Sequence, residues 1–174
     1  EKGADLLAKA IGDAFYYVGR RMSFLLLGSG LPHIEGELYQ LKSLAQKDFN
    51  VYLGYNEGLS HKLYAGADFL VMPSRVEPCG LNQMYSMRYG TVPLVRRVGG
   101  LKDTVIDYEE KEGFGICFNQ AAVGDITHAF WRATELYQKK DKLNALRKRM
   151  MTFDFSWESS VKKYLDVYQG IQNK

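Results

Sequence analysis

The chain has 174 residues, 46% of them hydrophobic and 25% charged, and its 23 Lys and Arg against 20 Asp and Glu give a net charge of +3. This is a globular composition that excludes wholesale disorder, and so small a basic excess gives no ground for a nucleic-acid binder with a clustered basic face. No apolar run approaches the ~18 residues of a membrane span.

The length suits one domain, residues 1–174. No signal peptide is read at the start. The two cysteines, Cys79 and Cys117, form neither a spaced metal set nor a C-x-x-C pair, and a reducing compartment is expected.

Leu7, Ala10, Ile11, Ala14 and Val18 recur at helical spacing and predict an opening helix. Ser23 to Leu27 is a solid apolar run closed by Gly28-Ser29-Gly30, and it reads as a strand buried on both faces. Pro32 suits the first turn of a helix whose inner stripe is Ile34, Leu38, Leu41 and Ala45. Val51 to Leu53 is a second strand, followed by a short helix through Leu59, Leu63 and Ala67. Asp68 to Met72 is a third, stopped by Pro73. Gly80 to Tyr89 predicts a helix with Leu81, Met84 and Tyr85 on one side. Val92 to Val95 is a fourth strand despite Pro93.

Gly99-Gly100 is a turn before a helix reaching Tyr108, and Gly115 to Phe118 is a fifth strand. Ile126, Ala129, Phe130, Ala133 and Tyr137 carry a further helix. After the charged stretch around Lys139 to Lys148, Ser156 caps a last helix with Trp157, Val161, Leu165 and Tyr168 on one face. Strands alternating with helices imply an α/β fold: a three-layer, doubly wound, Rossmann-like parallel sheet.

In open parallel sheets, ligands bind at the carboxyl ends of the strands. Three loops qualify: Gly28 to Leu31, Pro73 to Gly80, and Arg96 to Gly100. The middle one places Ser74, Arg75, Glu77 and Cys79 between a strand and a helix N-terminus, whose free N–H groups suit phosphate. Glu77 there could accept hydrogen bonds from sugar hydroxyls, or simply pair with Arg75. Gly28-Ser29-Gly30 lacks the third glycine of a dinucleotide fingerprint and reads as a plain turn. Arg96 and Arg97 could hold a phosphate or stand solvated. His33, His61 and His128 lack metal-ligand spacing, and no metal site is expected.

The run Pro73-Ser74-Arg75-Val76-Glu77-Pro78-Cys79-Gly80-Leu81-Asn82-Gln83-Met84-Tyr85 resembles the signature of bacterial glycogen synthases and plant starch synthases. The likeness continues through Arg88 to Val95, Gly99 to Val105, and Asp154 to Trp157. The resemblance implies a retaining glucosyltransferase of GT-B architecture, in which two doubly wound domains face each other across a cleft. This chain resembles the C-terminal, donor-binding half. The implied activity moves glucose from a nucleotide sugar, ADP-glucose before UDP-glucose, to the non-reducing end of an α-1,4-glucan, with no cofactor or metal.

By the resemblance, Glu77 holds the donor glucose and Lys2 neutralises the diphosphate as the catalytic pair. Cys79, Gly80, Leu81 and Asn82 line the glucose and distal phosphate, and Tyr55 stacks on the base. The implied partners are the nucleotide sugar, the glucan and the N-terminal domain, toward which the helix at 156–170 leans. Neither nucleic acid nor membrane is implied. The setting is the cytoplasm of a bacterium or a plant plastid, and the fragment alone is expected to be inactive.

Tyr85 stands where related transferases carry a second glutamate, and Leu31 where the family usually has aspartate. In the family a central strand precedes the position of Lys2. Without it, the strands at 23–27 and 68–72 lose a shared neighbour, and an adapted sheet, pairing with another copy, or an upstream strand is expected. The competing readings are a GT-B transferase of another sugar and a non-catalytic nucleotide- or glucan-binding module.

Overall fold

The computed structural model describes residues 1–19 and 21–172. In chain order its elements are α1 (Ala4–Tyr17), β1 (Phe24–Gly28), α2 (Pro32–Leu44), β2 (Phe49–Leu53), α3 (Glu57–Gly66), β3 (Phe69–Met72) and α4 (Asn82–Tyr89). β4 (Val92–Arg96), α5 (Gly99–Thr104), β5 (Ile116–Phe118), α6 (Val123–Gln138), α7 (Lys140–Met150) and α8 (Trp157–Gln172) follow. Every strand pair is parallel, as strands joined by helical crossovers must be. The expected α/β class therefore holds, with the core between the sheet and helices α1, α4, α6 and α7.

The strands fall into two sheets, β1-β2 and β3-β4-β5, so β1 and β3 each have a neighbour on one side only. Among the described residues no ladder joins β1 to β3, so the adapted sheet, one of the expectations, is not seen. The reading of the first strand as buried on both faces is corrected, because Leu25 in its middle is 67% exposed. A strand with one open edge lacks the side-chain neighbours that shield its faces. Helix packing bridges the sheets instead: the Phe24 ring of β1 meets Phe15 of α1 at 5.6 Å and Phe130 of α6 at 4.9 Å, both edge to face. At the far end, the Glu1 carbonyl accepts the Arg75 N–H at 2.7 Å just beyond β3.

Pro93 sits in the central strand without loss. The Val92 N–H points to the β3 side, where Asp68 accepts it at 3.0 Å, so position 93 faces the β5 side. There the ladder begins only at Leu94 opposite Ile116, and a missing N–H breaks nothing.

Two helices differ from expectation. α4 starts at Asn82 rather than Gly80, and it buries Gln83, Ser86 and Met87 while Leu81 and Tyr85 are exposed. On that inner face Gln83 supplies donors to the Cys79 and Gly80 carbonyls, and the Ser86 hydroxyl donates to the Gln83 carbonyl of the same helix. α5 stops at Thr104, short of Tyr108; Val105 is already extended, and Asp107 forms a parallel bridge with Gly115. The charged stretch from Lys139 is α7, anchored by buried Leu143, Leu146 and Met150. Ser156 does cap α8, its hydroxyl accepting the Ser159 N–H at 3.2 Å, but the apolar side of that helix lies open.

β5 is an edge strand, and side chains stand in for its missing neighbour. The Cys117 N–H donates to Asp107 Oδ2 at 2.7 Å, and the Cys117 carbonyl accepts from Arg132 at 3.1 Å. Arg132 closes the loop by a two-pronged bond to Asp107, at 2.6 and 3.0 Å. Burial works against the Asp107 carboxylate, but the Arg132 guanidinium and the Cys117 and Glu109 N–H groups outweigh it and hold its pKa below the ordinary value. Its stabilisation is therefore full above the usual carboxylate range and is lost as pH falls through the lowered native value. Asp107→Asn leaves Arg132 buried without its counter-charge and should cost about 3 kcal/mol in denaturant unfolding at neutral pH. The loss should shrink in acid below about pH 4, and a loss equal at both pH values would contradict the role given to the charge.

Candidate functional site

The site is built where β3 and β4 end. Pro73 stops β3, and the chain turns through Ser74 to Leu81 before α4 begins. Glu77 is 7% exposed in this turn. Its Oε2 accepts from Lys2 Nζ at 2.6 Å and from the Ser74 hydroxyl at 3.0 Å. Both bonds fall on one oxygen, which leaves Oε1 for an incoming hydroxyl. The alternative pairing of Glu77 with Arg75 does not occur. Arg75 grips Asp5 on the first turn of α1 through two 2.7 Å bonds, and the Arg75 hydrogen bond pulls the Asp5 carboxyl below its ordinary pKa.

Lys2 reaches Glu77 because the Glu1–Gly3 segment lies flush on the end of β3. A Cβ at Gly3 would stand 2.3 Å from the Pro73 carbonyl oxygen. The Lys2 side chain is 65% exposed, so its ammonium is free to swing toward a ligand.

The turn is held from behind by the next loop. The Gly100 N–H donates to the carbonyls of Glu77 at 3.0 Å and Pro78 at 3.2 Å. A Cβ at Gly99 would fall 2.1 Å from the Glu77 carbonyl oxygen, and one at Gly100 2.0 Å from that of Cys79. Only glycines allow two backbones this close. Arg96 ties the same ends together, donating to the carbonyls of Ser74, Arg75 and Asn119, while Arg97 pairs with Glu110. These arginines are braces; neither stands solvated nor points at an open phosphate cradle.

The other sequence candidates fall around this turn. Cys79 is exposed, with its thiol 3.5 Å from the Gly80 carbonyl oxygen. Gly80 has φ +75°, and Leu81 and Asn82 are exposed at the start of α4, whose first N–H groups have no side-chain cap. Tyr55 is 87% exposed between β2 and α3, past the carboxyl end of β2. α3 leans on α4 through Tyr64, whose ring lies 6.1 Å from Tyr85 and 6.3 Å from Tyr89. Gly28-Ser29-Gly30 is the plain turn expected: the Gly30 N–H goes to Glu35 Oε1 at 2.9 Å. Cys117 is buried, and burial pushes its thiol up to about 12, which removes it as a nucleophile.

Sequence reasoning missed Gln83 and Thr104 as side chains that hold this corner, and it offered Arg96 as a phosphate ligand rather than a brace. A polar residue on an inner helix face reads as an outer one, so periodicity could not find Gln83. A surface cleft of about 320 Å³ lies away from this corner, between α1 and α6, lined by Asp13, Tyr17, His128 and Trp131. Among the described residues no three His, Cys, Asp or Glu side chains gather as a metal set. No helix among them is long and apolar enough to cross a membrane.

Comparison with known proteins places this geometry. The family described as Glycosyl transferases group 1 matches residues 1–149. The chain is 51% identical over 171 residues to a glycogen synthase of Flavobacterium johnsoniae, covering 98% of this chain and 36% of that protein. It is 43% identical over 173 residues to a glycogen synthase of Treponema denticola, covering 97% and 35%. Among solved structures, the catalytic domain of starch synthase IV from Arabidopsis thaliana bound to ADP and acarbose superposes with a TM-score of 0.83 at 34% identity, over 100% of this chain and 36% of that one. The chain thus spans about a third of the length of the curated relatives it matches. With the turn after β3, the Lys2–Glu77 contact and these matches in hand, the chain belongs to the group 1 glycosyl transferases.

Proposed function

We propose that this chain is the donor-binding domain of a glycogen or starch synthase, which transfers glucose from a nucleotide sugar to the non-reducing end of an α-1,4-glucan with retention. The observation that carries the reading is the Lys2–Glu77 contact, set beside the uncapped start of α4. Cation, buried carboxylate and helix N-terminus are the three groups that a sugar diphosphate needs at one place. The relatives named glycogen synthase and the starch synthase structure bound to ADP and acarbose support the choice of glucan and favour ADP-glucose.

In this reading, Glu77 Oε1 accepts a glucose hydroxyl and fixes the sugar. Lys2 leaves Glu77 for the diphosphate, where negative charge grows as the bond to the sugar breaks. A cation and helix N–H groups aimed at that charge stabilise the transition state more than the bound donor. Tyr55 supplies a flat apolar face for the base. The chemistry draws on no metal. A second domain closes the cleft and brings the glucan, and α8 offers it an apolar face.

Because Lys2 must give up Glu77 to reach phosphate, the two substitutions should act in opposite directions. Lys2→Ala should weaken ADP binding by about tenfold, the worth of a charge-assisted hydrogen bond. Glu77→Gln should raise ADP affinity about threefold, a small gain because the Lys2 partner of the pair is 65% exposed. In the intact synthase Glu77→Gln should abolish turnover. Calorimetry with ADP and UDP in the presence of a chelator reads the first two; failure of both nucleotides to bind would overturn the reading.

Alone, the chain should elongate no glucan. Measurable elongation of maltoheptaose by it would count against a donor domain that needs a facing partner.

A maleimide should label Cys79 and spare Cys117 in the native chain, and saturating ADP-glucose should slow that labelling. Labelling at an unchanged rate would place the sugar elsewhere.

A further inference from the structure

We infer that Gln83 is the positioning residue of this corner: its buried amide turns the Cys79 and Gly80 carbonyls inward and so points the Gly80 and Leu81 N–H groups outward at the donor's phosphate. The inference rests on the function proposed above and adds to it the residue that orients the phosphate-binding backbone.

Gln83 is fully buried at the second position of α4. Its Nε2 lies 3.1 Å from each of three acceptors: the carbonyl oxygens of Cys79 and Gly80, and Thr104 Oγ1. Thr104 Oγ1 donates in turn to the Gly100 carbonyl at 2.6 Å. The Gly100 N–H donates to Glu77 and Pro78, so the bonds form a ring that closes on the turn itself.

The peptide units of the turn are trans. In a planar trans unit the C=O and the following N–H point in opposite directions. Two carbonyls drawn in by one amide therefore direct two consecutive N–H groups out, which is the arrangement of an anion-binding nest. Gly80 at φ +75° makes this turn of the chain, and a Cβ there would meet the Gln83 amide at 2.5 Å.

Gln83 Oε1 is buried and has no hydrogen-bond partner. An orphaned buried acceptor is unfavourable and calls for an explanation. Packing alone does not supply one, because an apolar side chain would fill the same space without an orphan. Placing one donor among three acceptors does.

The test is Gln83→Glu in this chain, with ADP as the probe. The introduced carboxylate faces the Cys79 and Gly80 carbonyl oxygens and repels them; once protonated it offers one O–H to them where the amide offers two N–H groups. Burial raises the pKa of such a group. ADP affinity relative to the parent at the same pH should fall about tenfold near pH 8, the worth of one or two hydrogen bonds, and return to within about threefold near pH 5.5. The Gly80 and Leu81 amide resonances, followed by NMR without ligand, should shift at the higher pH and return at the lower. A lesion of side-chain shape alone would not recover on acidification, and it is the amide resonances of Gly80 and Leu81 that separate backbone positioning from general destabilisation.

Unchanged Gly80 and Leu81 resonances at the higher pH would overturn the inference, as would an ADP affinity lost equally at both pH values. If the resonances respond while the parent binds no ADP, the positioning role stands and the proposed function falls. Should Gln83→Glu fail to fold, Thr104→Val decides. It removes one link of the ring and should weaken ADP about threefold at either pH; no change in affinity and no shift at Gly80 would overturn the inference.

Discussion

Two stretches of backbone touch with nothing between them where Gly99 and Gly100 lie on Glu77 to Cys79, and the architecture of the site follows from that contact. Any side chain at Gly99 or Gly100 would collide with a carbonyl oxygen at about the length of a covalent bond and a half. The approach brings the end of β4 against the turn after β3. The turn's inner carbonyls must then find donors in the space that remains, and Gly100, Arg96 and Gln83 provide them. The outward side of the turn is left with Glu77, Cys79 and the start of α4. The face offered to a ligand is thus the complement of what the packing consumed.

Charged groups follow a related rule at the sheet's margin. Asp107 and Arg132 saturate the backbone of Cys117 where β5 has no neighbour, and Arg96 binds three carbonyls at the strand ends. These ions replace strand partners, which is why they are ordered and shielded. Lys2 differs. Its side chain pairs with Glu77 and is 65% exposed, so its ammonium lies open to solvent rather than walled in by backbone.

Much of this was legible in the sequence because apolar runs, glycines and prolines mark strands and turns directly. The strands lie within two residues of their expected bounds, and Ser156 caps its helix as expected. The turn at Glu77 was legible from its place after a strand and before a helix, and from its likeness to a long signature. What escaped was side-chain polarity used against type. Gln83 and Ser86 face inward because they serve carbonyls, so the apolar side of α4 was assigned to Leu81 and Tyr85, which the structure exposes. The charge of Lys140 to Arg149 masked the apolar spacing of Leu143, Leu146 and Met150. Pro93 weakened a central strand on paper because the missing bond could not be assigned a direction without the register.

The division of the strands has a further consequence. Tyr55 follows β2 and Glu77 follows β3, so they ride on separate sheets with no ladder between them among the described residues. Helix packing and the rings of Phe15, Phe24 and Phe130 hold the two sheets together. If the function proposed above holds, the two ends of one nucleotide sugar rest on different sheets. Cutting off either end would then forfeit more than the contacts at that end, because each end helps to align the other.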